Sequence, residues 1–244
     1  MSNHSKASME AKIKNSRDLL ISVAGYERYK PASAEIKVDN YKEFMDTVES
    51  TMTDLNESRG ALTSVKKDNS DLVLLLVDTA RAIRSLTAEL KGKNSSEYNQ
   101  VSNLVRQITG ENISRHKRKA DLILKELKEG DPQPEFNSVS GLDVKTRLGK
   151  FRELIGLLKN YTFYVPEDPS LSIESLEIMR DDLTGSLEIV AQKETDFTNH
   201  RGKMIDYLNG TYGLTDRARR AKMHVKRKYG IASPQYKALI KKAY

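Results

Sequence analysis

Apolar residues recur every three or four positions through most of the chain, a spacing typical of amphipathic helices. This pattern covers residues 13–23, 44–65, 72–90, 101–108 and 113–127 in the first half and continues in the second. The aliphatic run at 72–77 could form a strand, but the helical spacing continues beyond it and favours a helix. The sequence therefore predicts an all-α fold.

Helix-breaking positions divide this pattern in the same order in both halves. Pro31 and Pro166 each end a Tyr-x-x-Tyr-x-Pro segment, and proline disfavours helical backbone at the residue before it. The polar run at 66–71 is expected to interrupt the helix, and residues 209–213, with two glycines, occupy the corresponding place in the second half. The segment Gly-Asp-Pro-Gln-Pro at 130–134 predicts a linker between the halves.

A Gly-x-x-Ser-x-x-Tyr motif occurs twice, and we interpret each copy as a corner between two helices. Glycine adopts a left-handed backbone without steric cost and ends the first helix. Serine can begin the next helix by accepting a hydrogen bond from a free amide, and the tyrosine would pack the corner against the preceding helix. The corner residues are Gly92, Ser95, Tyr98, Gly230, Ser233 and Tyr236.

The shared order of features indicates a duplicated helical module. Matching residues, such as Tyr26 and Tyr161, are 135 positions apart in the first part of each half and 138 apart at the corner. We predict two tandem copies of a helical-hairpin or bundle module joined by a linker helix. The expected divisions are a flexible N-terminus at 1–12, a first repeat at 13–110, a linker helix and Pro-rich loop at 111–141, and a second repeat at 142–244.

The amino-acid composition argues against disulfide-linked, cysteine-dependent and membrane-spanning classes of protein. The chain has 244 residues, of which 31% are charged and none is cysteine. Without cysteine there is no disulfide, thiolate nucleophile or zinc ribbon. No apolar run approaches the roughly 18 residues of a membrane span, and the first residues lack the apolar core of a signal peptide. We expect a cytoplasmic protein with no membrane span.

Positive charge is concentrated near the C-terminus. The net charge of the chain is +7, yet residues 215–244 contain ten Lys or Arg residues and one acidic residue. In the helix that begins near Leu214, small or apolar residues form one stripe and cations cover the remaining circumference. The candidate binding surface comprises Arg217, Arg219, Arg220, Lys222, Lys226, Arg227, Lys228, Lys241 and Lys242. A second basic patch comprises Arg115, Lys117, Arg118 and Lys119.

Candidate catalytic chemistry is sparse. The sequence has no Gly-rich phosphate loop, no Gly-x-Ser-x-Gly and no His-Glu-x-x-His. The histidines at positions 4, 116, 200 and 224 are isolated on polar stretches, where a solvated or capping role explains them better than metal binding. We predict no catalytic residue, no metal site and no cofactor, and we expect that the protein is not an enzyme.

The paired tyrosines allow two interpretations. Tyr26 with Tyr29, and Tyr161 with Tyr164, could form an aromatic platform for bases. We favour a structural role, in which they hold the linker on the core and satisfy a hydroxyl at its edge. Both halves contain the tyrosine pair, whereas only one half is strongly basic. The presence of the pair therefore does not correlate with the positive charge that nucleic-acid binding would need.

The C-terminal end resembles a group of uncharacterised bacterial helical proteins that end in a helix followed by Gly-x-x-Ser-x-x-Tyr. The resemblance rests on Gly213-Leu214 and on residues 230–236, about 25 residues in all, and Gln235 replaces the usual glutamate before the tyrosine. It implies a helical fold and carries no activity.

The charge distribution predicts a non-enzymatic structural or scaffolding protein that docks onto an acidic partner through its basic C-terminal helices. The partner would be an acidic protein surface or, as the alternative function, a nucleic acid bound without sequence preference. Self-association into a homo-oligomer is also compatible with this pattern. The competing explanation is a solvated basic face that has no partner.

Overall fold

The computed structural model of the chain describes residues 4–111 and 143–240. Every regular element in those ranges is helical, which confirms the all-α class. The α-helices are α1 (His4–Ala24), α2 (Val38–Lys91), α3 (Ser96–Thr109), α4 (Val144–Lys159), α5 (Ile173–Asn209), α6 (Leu214–Tyr229) and α7 (Pro234–Ile240). Short 3-10 turns precede α2 and α5. Apart from Glu111, the predicted linker helix and Pro-rich loop lie outside the described residues.

Helix α2 corrects the predicted break at 66–71, because it is continuous over 54 residues. No helical hairpin therefore forms at that position. The polar run contains neither Gly nor Pro, and the helix propensities of its residues fall short of alanine's by at most about 0.7 kcal/mol each. One of these residues, Asn69, also gains a contact, since the hydroxyl of Ser186 on α5 donates to its Oδ1 at 3.1 Å. Polar character without a backbone breaker is insufficient to end the helix.

Unit 1, the first of two compact units, is drawn from residues 1–63 and 192–244. Its core combines α1 and the first part of α2 with the last part of α5, α6 and α7. Tyr41 and Val48 on α2, Met204 on α5 and Val225 on α6 are completely buried there. Val48 and Val225 belong to the apolar stripes predicted from the sequence, whereas Tyr41 and Met204 lie outside them.

Unit 2 is drawn from residues 64–191. Its core combines the last part of α2 with α3, α4 and the first part of α5. Ile83 on α2, Val105 on α3, Phe151 on α4 and Leu183 on α5 are completely buried. As in unit 1, helices from distant parts of the sequence close a single apolar core.

The two units divide the chain differently from the predicted repeats. Unit 1 contains α1 and the start of α2 from the first predicted repeat, together with the corner at 230–236 from the second. Unit 2 contains α4 and the start of α5 from the second predicted repeat, together with the corner at 92–98 from the first. Each unit therefore combines the N-terminal helix of one predicted repeat with the corner of the other.

The second tyrosine of each pair has the structural role favoured from the sequence. Tyr29 is 6% exposed, and its hydroxyl donates to the carbonyl oxygen of Ile36 at 2.8 Å. Tyr164 is 7% exposed and donates to the carbonyl oxygen of Leu171 at 2.8 Å. Burial raises the pKa of the Tyr29 hydroxyl, and it raises the pKa of Tyr164 to about 12, so both remain neutral donors. Rings buried in this way cannot serve as a platform for bases.

Both Gly-x-x-Ser-x-x-Tyr motifs form corners with the predicted hydrogen bonds. The Ser95 hydroxyl accepts from the Tyr98 amide at 3.1 Å, and the Ser233 hydroxyl accepts from the Tyr236 amide at 3.2 Å. Each serine also donates to the carbonyl oxygen of the preceding glycine, at 2.9 and 2.7 Å respectively. Gly92 and Gly230 have φ values of +82° and +90°, which a β-carbon disfavours.

The break between α5 and α6 depends on a close backbone approach. The amide of Gly210 donates to the carbonyl oxygen of Asp206 at 2.7 Å. A β-carbon on Gly210 would lie 2.5 Å from that oxygen, so glycine is required unless the backbone moves. Residues 209–213 thus contain the backbone breaker that the run at 66–71 lacks.

Candidate interaction surface on helix α6

Helix α6 is held in unit 1 by small residues on one side. Ala218, Ala221 and Val225 are completely buried, as is Leu214 at its first position. The stripe predicted from the sequence consists of these four residues and Tyr229, which is only partly buried. Because alanine has no side chain beyond Cβ, the helix backbone can approach the core closely, and the longer side chains lie on its other faces.

Arg217, one of the predicted surface cations, makes its contacts within unit 1. Its Nε donates to the carbonyl oxygen of Tyr212 at 2.7 Å, and its Nη1 donates to the carbonyl oxygen of Glu35. The guanidinium also lies over the ring of Phe44, 4.0 Å from its centre. Burial lowers the pKa of Arg217, although an arginine side chain remains charged in proteins. Arg217 therefore connects α6 to the segment before α2.

Arg220 is engaged in a similar way, and its side chain is only 28% exposed. It donates to the hydroxyl of Ser33 and pairs with the carboxylate of Glu35 at 3.4 Å and that of Asp216 at 3.6 Å. The Ser33 hydroxyl, with the charges of Arg220 and Arg217, holds the pKa of Glu35 below its usual range. Glu35 thus supplies negative charge from a segment far away in the sequence, and Arg220 is not available in full to a partner.

The remaining described cations of α6 are partly or fully exposed. The Arg219 side chain is 75% exposed and pairs with Asp216 at 3.1 Å. Lys226, Arg227 and Lys228 are exposed, and Lys222 is partly buried. At 100° per residue, Arg219, Met223, Lys226 and Arg227 fall within an arc of about 100°. We call these four residues the α6 face.

Met223 is the apolar member of this face, and it is 62% exposed. Arg219 lies one turn before it, and Lys226 and Arg227 lie one turn after it, so cations flank the thioether on both sides. The charge pattern of the sequence does not identify this residue, because methionine is uncharged. The sequence feature that could have identified Met223 is its position, since it is an apolar residue on the side of the helix opposite the buried stripe.

His224 corrects the prediction of a solvated or capping role, because it is only 6% exposed. Its ring contacts the Tyr29 ring edge to face, with 5.2 Å between the centres. Burial, and then the charges of Arg227 and Lys228, lower the pKa of His224. The imidazole is consequently neutral at pH 7, and its Nδ1, 3.4 Å from Nη2 of Arg227, is placed to accept a hydrogen bond from that guanidinium.

Some predicted site residues lie outside the described residues, namely Lys241, Lys242 and the second basic patch of Arg115, Lys117, Arg118 and Lys119. Within the described ranges, no three His, Asp or Glu side chains come together as a metal site requires. No helix in those ranges is both long enough and apolar enough to cross a membrane.

No protein-family model matches the chain, and no match is found among curated proteins or among solved structures. Function must therefore be inferred from the surface itself.

Proposed function

We propose that this is a non-enzymatic interaction protein of a structural or scaffolding kind, which docks onto an acidic partner protein through the α6 face. The observation that carries the proposal is Met223, a large apolar side chain that is 62% exposed among cations. Exposed methionines occur at protein-binding surfaces because the flexible, polarisable thioether adapts to different neighbours. Cations around such an anchor favour a partner with a complementary acidic rim.

A simpler explanation covers only part of this surface. Lys226, Arg227 and Lys228 occupy the last turn of α6, where positive charge interacts favourably with the helix dipole by about 0.3–1 kcal/mol per residue. That stabilisation accounts for cations at the C-terminal end without a partner. It does not account for Arg219 in the middle of the helix, nor for an exposed Met223. The α6 face therefore supports a binding role better than a purely local one.

Nucleic-acid binding is a second candidate function, because the cations at 226–228 are exposed and could contact phosphates. Binding of that kind draws its affinity from phosphate contacts and commonly uses exposed aromatic rings on which bases stack. Tyr29 and Tyr164 are buried and cannot provide such stacking. An exposed apolar side chain at the centre of the cations suits a protein partner better than a phosphate backbone.

Site-specific photo-crosslinking tests the proposal directly. A photoreactive phenylalanine derivative would replace Met223 in one variant and Ser85 in a control. Ser85 is exposed on α2 and lies 138 positions before Met223 in the sequence, in a segment with much less excess positive charge than α6. After irradiation in cells that express the protein naturally, we expect adducts with acidic proteins at position 223 and not at position 85.

Charge reversal and nuclease treatment complete this experiment. Arg219→Glu with Lys226→Glu should remove the adducts, whereas Lys12→Glu with Lys14→Glu on α1 should retain them. Adducts that disappear after nuclease treatment, together with a salt dependence of about −0.9 in log–log slope per phosphate contact, would favour the nucleic-acid alternative. Equal crosslinking at positions 223 and 85 would contradict the proposal and would indicate that the α6 face is a solvated surface without a partner.

We further propose that the two halves of the chain are copies of one module and that the protein is cytoplasmic. The first proposal is supported by the matching corners and by the matching Tyr29 and Tyr164 hydrogen bonds, both 2.8 Å long and 135 positions apart. It implies that the two copies exchange segments, since each compact unit draws on both. The second proposal is supported by the lack of cysteine, which is compatible with a reducing compartment, where disulfides are rare.

A further inference from the structure

A groove of about 410 Å³ runs along the α6 face within unit 1. One wall is the segment before α2, with Pro31, Ala32 and Ile36, and the other wall is formed by Met223 and its neighbours on α6. Polar residues also line the groove, but most of the wall surface that it exposes belongs to apolar atoms. Because Met223 belongs both to the groove and to the α6 face, a partner that covers this face would also meet the groove.

The two arginines of the groove differ in their remaining capacity to bind an anion. Arg220 is already paired with Glu35 and Asp216. Arg227, seven residues or about 10 Å further along the helix, is exposed and forms no ion pair with the carboxylates of the described residues. Its nearest polar contact is Nδ1 of His224, 3.4 Å away. An anionic group of a partner would therefore bind at the end of the groove where Arg227 lies.

We infer that this groove receives an apolar side chain of the acidic partner, with a neighbouring carboxylate of that partner bound by Arg227. This inference rests on the proposed function and specifies the recognition element of the partner. The apolar walls select the side chain, and the exposed guanidinium can bind a carboxylate through two parallel hydrogen bonds. His224 supports the arrangement by holding the guanidinium at the rim of the groove.

A peptide titration followed by NMR tests the inference. The protein would carry ¹³C-labelled methionine methyl groups, and the probe would be a capped peptide with one leucine between two glutamates on a Gly-Ser background. We expect a saturable shift of the Met223 methyl resonance. The buried methyl groups of Met45, Met52 and Met204 report in the same spectrum whether the fold is intact.

Two control peptides separate shape from charge. Replacing the leucine by serine keeps the charge and removes the apolar anchor, and replacing the glutamates by glutamine keeps the anchor and removes the charge. The serine peptide should bind about tenfold more weakly, because it loses the burial of the leucine side chain. The glutamine peptide, and Arg227→Gln in the protein, should each weaken binding by about the same factor, because a charge-assisted hydrogen bond is lost.

Two protein variants test the position of the groove. Ala32→Trp should fill it and abolish the saturable shift without altering any charge. Ala34→Trp places the same side chain in the same segment, at a residue that does not line the groove, and should leave binding unchanged.

Two results would overturn the inference. The first is equal binding of the leucine and serine peptides, which would mean that the cations act without the groove. The second is the absence of a saturable shift with the leucine peptide. Neither result affects the crosslinking experiment at Met223, so the inference can fail while the proposed function stands.

Discussion

The segments 78–91 of α2 and 216–229 of α6 have the same buried side and different exposed sides. Ala80 and Ile83 are completely buried in unit 2, as are Ala218 and Ala221, 138 positions later, in unit 1. Both segments also begin with an Asp–Arg ion pair of 3.1 Å, between residues 78 and 81 and between residues 216 and 219. Matching positions are therefore buried in the two segments.

The exposed sides of the two segments differ. Where α6 has Met223, Lys226 and Arg227, the positions of α2 that lie 138 residues earlier carry Ser85, Ala88 and Glu89. Because both helices are held by equivalent buried stripes, the fold does not require cations and an exposed methionine at these positions. The packing of the buried side therefore does not explain the exposed methionine and the cations of the α6 face.

The largest expected effect concerns the buried side, where Ile83 corresponds to Ala221. Ile83→Ala should lower the free energy of unfolding by about 2–5 kcal/mol, because it leaves a cavity in a completely buried site. Ala221→Ile should cost about 1–3 kcal/mol through overpacking. Guanidinium denaturation measures both changes, with hydrogen exchange to locate the loss in unit 2 or unit 1. The exposed variant Ser85→Ala should stay within about 0.5 kcal/mol of wild type.

A loss below about 1 kcal/mol for Ile83→Ala would show that the core of unit 2 collapses around the smaller side chain. The two buried stripes would then not be equivalent in their packing, and the comparison of α2 with α6 would lose its basis.

The corners give the second prediction. Gly230 has φ +90° and ψ 158°, a region that is essentially restricted to glycine and that costs other residues about 1–3 kcal/mol. Gly230→Ala should therefore lower the thermal unfolding temperature, and Gly92→Ala should behave alike. Gly202 in α5 provides the control, because it is helical and a β-carbon there meets no atom within 4 Å. Gly202→Ala should stabilise the protein by about 0.5–1 kcal/mol.

The corners were predictable from the sequence because they depend on local chemistry. Glycine at the end of a helix and serine at the start of the next one have strong backbone preferences, and Gly92 and Ser95 behave as those preferences require. The continuity of α2 was not predicted, because a run of polar residues resembles a loop when it is judged by polarity alone. Glycine, as at Gly210, was the more informative signal.

The site was predictable only in part, because charge pairing is a tertiary property. The sequence identified the cations of α6, but it could not show that Glu35 lies beside Arg220. Nor could it show that the ring of Phe44 lies under Arg217. The burial of His224 depends on Tyr29, which is far from it in the sequence. Which cations of a basic helix are exposed can therefore be determined only when the segments that pack against the helix are known.

The third prediction compares the two serine caps. Ser95→Ala and Ser233→Ala should each cost about 0.5–2 kcal/mol, because an amide at the start of the next helix loses its acceptor. Ser95→Asp and Ser233→Asp should recover most of that loss, since aspartate is an equally good N-cap. Ser96→Ala is the matched control, because the Ser96 hydroxyl, on an exposed residue, donates to the carboxylate of its neighbour Glu97 and caps no helix amide. Equal melting temperatures for Ser96→Ala and Ser95→Ala would contradict the capping role.

The smallest expected effect is a difference in pH dependence between His224 and Leu86, the residue 138 positions before it. Burial lowers the pKa of His224 in the folded state, so the unfolded chain binds a proton more readily. Its contribution to stability is complete above about pH 7 and is lost as the pH falls below the ordinary histidine value of about 6.5. The groups that face it are the Tyr29 ring, the backbone of Arg28 and the charged side chains of Arg227 and Lys228.

His224→Leu isolates this effect, because leucine fills a similar place without binding a proton. The free energy of unfolding should decrease more between about pH 7.5 and pH 5.5 in the wild type than in the variant. Carboxylates titrate mainly below this interval and are common to both proteins, so they cancel in the difference. Urea denaturation at several pH values provides the measurement, and parallel pH profiles for the two proteins would show that His224 is solvated after all. A steeper profile in the wild type would instead establish that α6 buries a neutral imidazole where α2 has an aliphatic side chain.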